Sequence, residues 1–138
     1  MNKKMNNKGF SLVELIVVIA IMAILVGALA PQFIKYVEKS RQSTDIQNIA
    51  EMKSAVEIYV ADKESPDASY TVTLTTSNAS IDASVAANAG IESTVSLKSG
   101  GWSASSATYS TSNYTWTVST GTQNSKAPSS DYKSVFNK

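Results

Sequence analysis

The 138-residue chain contains no cysteine and no histidine. Lacking cysteine, it can form no disulfide, thiolate nucleophile or zinc-thiolate site, and its redox compartment stays open. Lacking histidine, it cannot build a Ser-His-Asp triad, and it is without the commonest general base and metal ligand. Charge of one sign is missing too: 12 basic and 11 acidic residues leave a net charge of +1. A protein that grips phosphates shows a basic stripe, so nucleic acid is not an expected partner. There is no G-x-x-x-x-G-K-[ST] phosphate loop, so any step that consumes nucleotide energy falls to another protein. The acids are scattered rather than gathered in a calcium loop. No cofactor and no metal are implied, and the expectation is a non-enzymatic chain.

What is present divides by composition into three parts. The leader "MNKKMNNKG" holds Lys3, Lys4 and Lys8 without an acid. An apolar block follows, then a helical middle over residues 32–63. That pattern ends at "ESPDAS", where Pro66 has no N–H to continue a helix and disfavours helix in Ser65. The remainder is rich in Ser, Thr, Tyr and Gly, with short alternating runs and no convincing repeat.

The apolar block is long enough to cross a bilayer once. Residues 10–30 make about 21 residues, roughly 31 Å as a helix, against a hydrocarbon core of about 30 Å. The leader lysines place the N-terminus in the cytoplasm and the polar remainder outside, by the positive-inside rule. A secretory signal cut after "ALA" at residues 28–30 would put Pro31 directly behind the cut and Glu14 inside the apolar core, and both argue against it. A plain single-pass anchor is disfavoured by the same Glu14, because a carboxylate in mid-membrane costs about 2.5–3.5 kcal/mol on insertion scales.

Gly9, Phe10, Ser11, Leu12, Val13, Glu14 and Leu15, followed by the apolar run, closely resemble the class III leader of type IV prepilins and related pseudopilins. The resemblance covers about 25 residues and fades in the C-terminal half. It implies cleavage between Gly9 and Phe10 by a prepilin peptidase, N-methylation of Phe10 by the same enzyme, and a role for Glu14 in processing and assembly. Pro31 falls where these pilins carry a helix-bending proline. A Lys- and Asn-rich leader of this kind resembles those of low-GC Gram-positive bacteria. Pilins with a disulfide-closed C-terminal loop differ from this chain, which has no cysteine.

Elementary chemistry makes sense of the implied roles. The cut would remove three lysines and expose an α-amino group, which is largely cationic at neutral pH because its reference pKa is about 8, and methylation keeps that charge. A carboxylate in an apolar bundle is expensive alone but strongly held beside a neighbouring ammonium, so a Glu14 to Phe10 contact between subunits would set register. Pro31 in a continuous helix deprives the Gly27 carbonyl of its donor, and glycine is itself a poor helix former. Gly27 and Pro31 are therefore expected to mark a kink in the monomer and a site of melting in an assembled filament.

Past Pro31 the helical period persists. Ile34 and Val37 begin a stripe that Ile46, Ile49, Met52, Val56, Tyr59 and Val60 continue, with Glu38, Arg41, Asp45, Glu51, Lys53, Glu57 and Lys63 mostly elsewhere. The denser half, residues 46–60, is expected to pack on the C-terminal part, and residues 32–44 to meet solvent or neighbouring subunits. "YTVTLTTS" alternates Tyr70, Val72 and Leu74 against threonines, and "NYTWTVST" repeats the design with Tyr114, Trp116 and Val118. Weaker strands are expected around Val95 and Leu97 and over residues 102–109, with Gly100 and Gly101 as a turn. "ASIDASVAANAGI" reads as a short helix ended by Gly90. Trp102 and Trp116 are assigned to the core rather than to an adhesive surface. Ser130 to Lys133 forms an S-x-x-K pattern without the partner motifs of penicillin-interacting enzymes. Asn78 and Asn113 begin N-x-[ST] sequons, which matter only in a host with the matching machinery.

The expected architecture is α+β: a long N-terminal helix laid on a small antiparallel sheet, the ladle fold that the resemblance implies. Its divisions are a leader (1–9), a transmembrane and filament-core helix (10–31), an amphipathic continuation (32–64) and a Ser/Thr-rich sheet head (65–138). The implied function is a structural subunit of a type IV pilus, held in the cytoplasmic membrane and then polymerised with itself into an extracellular fibre for adhesion, aggregation or motility. Prepilin peptidase, an assembly ATPase, a platform protein and the membrane are the implied partners. Two alternatives share much of this logic: a pseudopilin of a type II secretion or DNA-uptake system, and a signal-anchored extracellular binding module.

Overall fold

The structure, a computed structural model, describes residues 9–100, 102, 104–120 and 135–137. The leader lysines, Gly101 and the S-x-x-K pattern lie outside the described residues. The chain divides into two compact units, Met1–Val37 and Glu38–Lys138.

One helix, α1 (Leu12–Asp62), runs for 51 residues with Pro31 inside it. In the first unit it is apolar on all sides, so no face is favoured for packing within the chain, and the large side chains from Leu12 to Leu29 are all exposed. In the second unit the helix becomes amphipathic. Ile49, Met52, Val56 and Val60 recur at three- and four-residue spacing and are at most 5% exposed, while Glu51 and Ser54 face water. Each such burial contributes about 1.5–3 kcal/mol, which is what fixes this half of α1 on the sheet.

Five strands follow: β1 (Ser69–Leu74), β2 (Asn78–Ser80), β3 (Thr94–Ser96), β4 (Ser105–Ser110) and β5 (Thr115–Thr120), with the short helix α2 (Ala83–Ala89) between β2 and β3. All pairings are antiparallel, in the order β3-β2-β1-β4-β5. The α+β architecture expected from sequence is thus present. Period two decides which side of each strand packs: Tyr70, Val72 and Leu74 of β1 are buried, as are Ala107 and Tyr109 of β4. The opposite face carries Thr71, Thr73, Ser106, Thr108, Thr117 and Ser119. Thr71 and Thr108, directly paired across β1 and β4, lie 3.1 Å apart through their hydroxyls.

Short-range chemistry sets the connections. The β1–β2 turn is closed by Thr75, whose N–H donates to Asn78 O at 2.8 Å and whose Oγ1 accepts from the Asn78 N–H at 2.9 Å. Asp82 caps α2, its Oδ1 accepting the Ser84 N–H at 2.8 Å. Gly90 ends α2 in the left-handed region, φ 69°, and the Ile91 N–H reaches back to Ala86 O at 3.0 Å. That helix and its glycine stop match the sequence expectation.

Three readings are corrected. Tyr114 is not on the buried face of β5; it sits in the β4–β5 turn at φ 54° and is 71% exposed. Bonding of Thr111 Oγ1 to the carbonyls of Asp67 and Ala68, at 2.9 and 3.0 Å, fixes where β4 stops and so starts β5 only at Thr115. β2 was not foreseen, because its three residues, which are the Asn78-Ala79-Ser80 sequon itself, are too few for a period to register. Asp45, assigned with the solvent-facing charges, is fully buried. Trp102 and Trp116 both join the core, Trp102 at 6% exposure and Trp116 packed at its margin.

Candidate assembly segment

Gly9, Phe10 and Ser11 precede the helix and are exposed. No heavy atom lies within 4 Å of the position a Gly9 Cβ would take, and Phe10 is 86% exposed. The Gly9–Phe10 peptide is therefore non-helical and accessible, the form in which a protease can take a backbone into its active site. Ser11 begins the helix by accepting the Leu15 N–H on its carbonyl at 3.2 Å. Glu14 falls in the first turn, where a carboxylate is favoured by the positive end of the helix dipole. Among the described residues Glu14 has no ion-pair partner. A second charge would have to come from outside the described chain.

Behind Glu14 the helix presents one continuous apolar surface. Every large hydrophobic side chain from Phe10 to Ile34 is exposed, most by half or more. An apolar area of this extent on a soluble monomer is a surface for lipid or for another protein. The helix is long and apolar enough to cross a membrane. Gly27 has open space where a Cβ would stand, so it leaves a shallow gap on the helix surface, four residues before Pro31. The structure thus places Gly9, Phe10 and Glu14 together at the start of α1, with Gly27 and Pro31 further along the same helix.

A second set of contacts, which holds α1 on the sheet, belongs to the C-terminal unit and was missed in the sequence. Asp45, with no exposed surface, draws Lys98, Ser99 and Trp102 onto α1. Its two oxygens accept the Lys98 N–H at 2.9 and 3.1 Å, and Oδ2 also accepts the Ser99 N–H at 2.8 Å, the Ser99 hydroxyl, and the Trp102 indole N–H at 3.1 Å. Burial pushes the Asp45 carboxyl up, but these donors, led by the Lys98 and Ser99 groups, outweigh it and hold the group below its ordinary range. Two turns earlier Glu38 Oε1 accepts the Gly100 N–H at 2.8 Å. The only signal in the sequence was Asp45 sitting one residue before Ile46, a position from which helical geometry can turn it toward the packed side.

The sheet is tied to α1 at its far edge as well. Trp116 donates its indole N–H to Glu57 Oε1 at 2.9 Å, and Lys53 lies 3.7 Å from the same oxygen. The Trp116 ring stands 5.0 Å from Tyr109 and 4.8 Å from Phe136, so the C-terminal Val135–Phe136 segment docks on β5 by ring packing.

Residues 4–30 match the family model described as the prokaryotic N-terminal methylation motif. That span includes Gly9, Phe10, Glu14 and Gly27 and stops one residue short of Pro31. The chain is 35% identical over 82 residues to "Prepilin peptidase-dependent protein A" of Clostridium perfringens, 59% of each chain. It is 36% identical over 58 residues to "Type IV major pilin protein PilA" of Myxococcus xanthus, covering 42% of this chain and 26% of that one. With a "Type IV major fimbrial protein FimA" of Dichelobacter nodosus it shares 38% identity over 55 residues, 40% of this chain and 35% of that one. The chain therefore spans from about a quarter to three fifths of the length of these curated relatives. No solved structure matches. The chain thus carries the prokaryotic N-terminal methylation motif at the head of its long apolar helix and is similar, over part of their length, to proteins named as type IV pilins and fimbrial proteins.

Proposed function

We propose that this chain is a structural subunit of a type IV pilus. It is made as a precursor, held in the cytoplasmic membrane by α1 with its N-terminus inside, and cut between Gly9 and Phe10 by a prepilin peptidase that also methylates Phe10. The freed subunit leaves the membrane by burying the same apolar surface against copies of itself in an extracellular filament. An assembly ATPase and a platform protein supply the work of extraction. The observation that carries this reading is the exposed apolar surface of α1, headed by a single carboxylate and an accessible Gly-Phe junction.

The chemistry of the start of α1 gives the order of events. While the leader is attached, the Phe10 nitrogen is an uncharged amide. Cleavage turns it into a cationic amine at the cytoplasmic end of the helix. In a filament that amine faces Glu14 of an adjoining subunit, and the pair fixes the axial register of two otherwise slippery apolar helices. A buried pair of this kind adds specificity more than net stability. Gly27 and Pro31 form the weakest stretch of α1 and yield when helices crowd.

Electron microscopy of cells expressing Glu14→Ala tests this reading. The variant is expected to insert in the membrane and form no fibres, whereas wild-type cells carry long surface fibres labelled by antibody to this subunit. Abundant fibres built from the alanine variant would contradict it.

A further inference from the structure

β1 and β2 pair only at Thr73↔Ser80 and Leu74↔Ala79. Beyond Ser80 the chain turns away from β1: Ile81 donates its N–H to Ser93 O at 2.9 Å, on the β3 side, and Asp82 caps α2. β1 nevertheless continues back to Ser69, still paired with β4 on its other side. In an antiparallel ladder the N–H and C=O of one residue point to the same neighbour, and successive residues alternate. The Ala68 carbonyl accepts from Thr111 on the β4 side, and the Thr75 N–H donates to Asn78 on the β2 side. Counting from either end directs the backbone groups of Ser69 and Thr71 toward the side that β2 has left. Among the described residues they have no hydrogen-bond partner there.

These groups border a depression of about 470 Å³ that is also lined by Thr73, Ser80, Asp67 and Asp82. Asp67 and Asp82 are both exposed. Lys63 Nζ lies 3.7 Å from Asp67 Oδ2, and Asp82 Oδ1 is engaged by Ser84, which leaves the notch with one carboxylate in excess of its nearby cation. An anion or a nucleic acid is repelled by such walls. A strand supplies donors and acceptors at the spacing that β1 presents, and a basic side chain supplies the missing charge.

We propose that this notch docks an extended cationic peptide segment of a partner protein, which adds a short strand beside Ser69–Thr71 and sets a Lys or Arg between Asp67 and Asp82. The site lies wholly in the C-terminal unit and does not rest on the pilus reading. Main-chain pairing provides the affinity and the two carboxylates select the sign of the side chain. Because only two residues of β1 are free to pair, the interaction is short and reversible.

The test is a titration of the ¹⁵N-labelled full chain in detergent micelles with the blocked peptide acetyl-Thr-Lys-Thr-Lys-Thr-amide. The expected result is a saturable shift of the Ser69 and Thr71 amide signals and slowed hydrogen exchange at both. Binding should weaken about tenfold or more when the peptide backbone is N-methylated, and likewise when glutamate replaces lysine. A double variant, Asp67→Asn with Asp82→Asn, should lose a similar factor; asparagine keeps a capping side chain at 82, and an unchanged thermal melt confirms the fold. Equal binding of the N-methylated or the glutamate peptide overturns the proposal, as does an absence of shifts at Ser69 and Thr71. Shifts there that grow with protein concentration, without peptide, identify a second copy as the occupant and also overturn it.

Discussion

At the scale of single residues, two carboxylates carry contrasting burdens. Asp45 sits where a charge is costly, and it is tolerated because its oxygens accept from the Lys98 and Ser99 amides, the Ser99 hydroxyl and the Trp102 indole. Replacing it with alanine would strand the Lys98 and Ser99 amides, the latter in a buried site, and leave the Trp102 indole with the Ser99 hydroxyl in place of the carboxylate. The expected cost is about 3 kcal/mol or more, a fall in melting temperature on the order of 10 °C in thermal denaturation followed by near-ultraviolet circular dichroism. The same group predicts the acid response. Its pKa is lower in the folded chain than in the unfolded one, so its stabilisation is complete above the ordinary aspartate value of about 3.9 and is lost as the pH falls below it, through the folded value. Wild type should therefore lose stability in that acid window by more than Asp45→Asn does, as measured by denaturant midpoints across pH. Glu14, by contrast, has no ion-pair partner among the described residues, and on the proposed reading the Phe10 amine of an adjoining subunit supplies one. Gly90 is a third kind of case. At φ 69° it occupies backbone that an L side chain resists, so Gly90→Ala should cost about 1 kcal/mol although its Cβ would meet no atom within 4 Å.

At the scale of elements, α1 changes its task along its length. Its first half offers lipid or neighbouring helices an unbroken apolar surface, and its second half offers the sheet a stripe four residues deep. Pro31 lies near the change, and on the proposed reading the turn from Gly27 to Pro31 holds in the free subunit and melts in the filament. Hydrogen exchange read by mass spectrometry checks this: amides of residues 27–30 should exchange faster in fibres than those of the flanking turns. Uniform protection along α1 in fibres would contradict it. The elements also show what a sequence makes visible. Long periods survive translation into structure: the stripe from Ile49 to Val60 and the alternation of Tyr70, Val72 and Leu74 both pack as their spacing predicts. β2 has three residues and no period to detect, and Tyr114 follows the alternation of β5 on paper while Thr111 ends the previous strand and leaves it in the turn. Asp45 was hidden because a charged residue in a helix is ordinarily a solvated one, and its donors lie 53 to 57 positions away.

At the scale of the whole molecule, the chain separates a generic part from a particular one. The N-terminal segment matches a family model over residues 4–30, and its resemblance is visible in the sequence because a carboxylate in an apolar helix violates what a simple anchor needs. The sheet order β3-β2-β1-β4-β5 and the clamp of Lys98, Ser99 and Trp102 onto α1 depend on contacts between distant positions and were not legible. In the sheet unit, where the chain has no cysteine, the Phe136 ring packs on Trp116 at 4.8 Å between centroids. Trp116→Ala should therefore loosen the segment at Phe136 as well as cost about 3 kcal/mol of core packing, seen as early proteolytic clipping before Phe136.

The proposed pilus function follows from one covalent event, the conversion of the Phe10 amide into a charged amine. Intact mass and fragment spectra of the subunit recovered from cells measure it directly. The predicted result is a chain that begins at Phe10 and carries one methyl group on that nitrogen. A chain that begins at Met1, or one cut ahead of Pro31, would contradict the account.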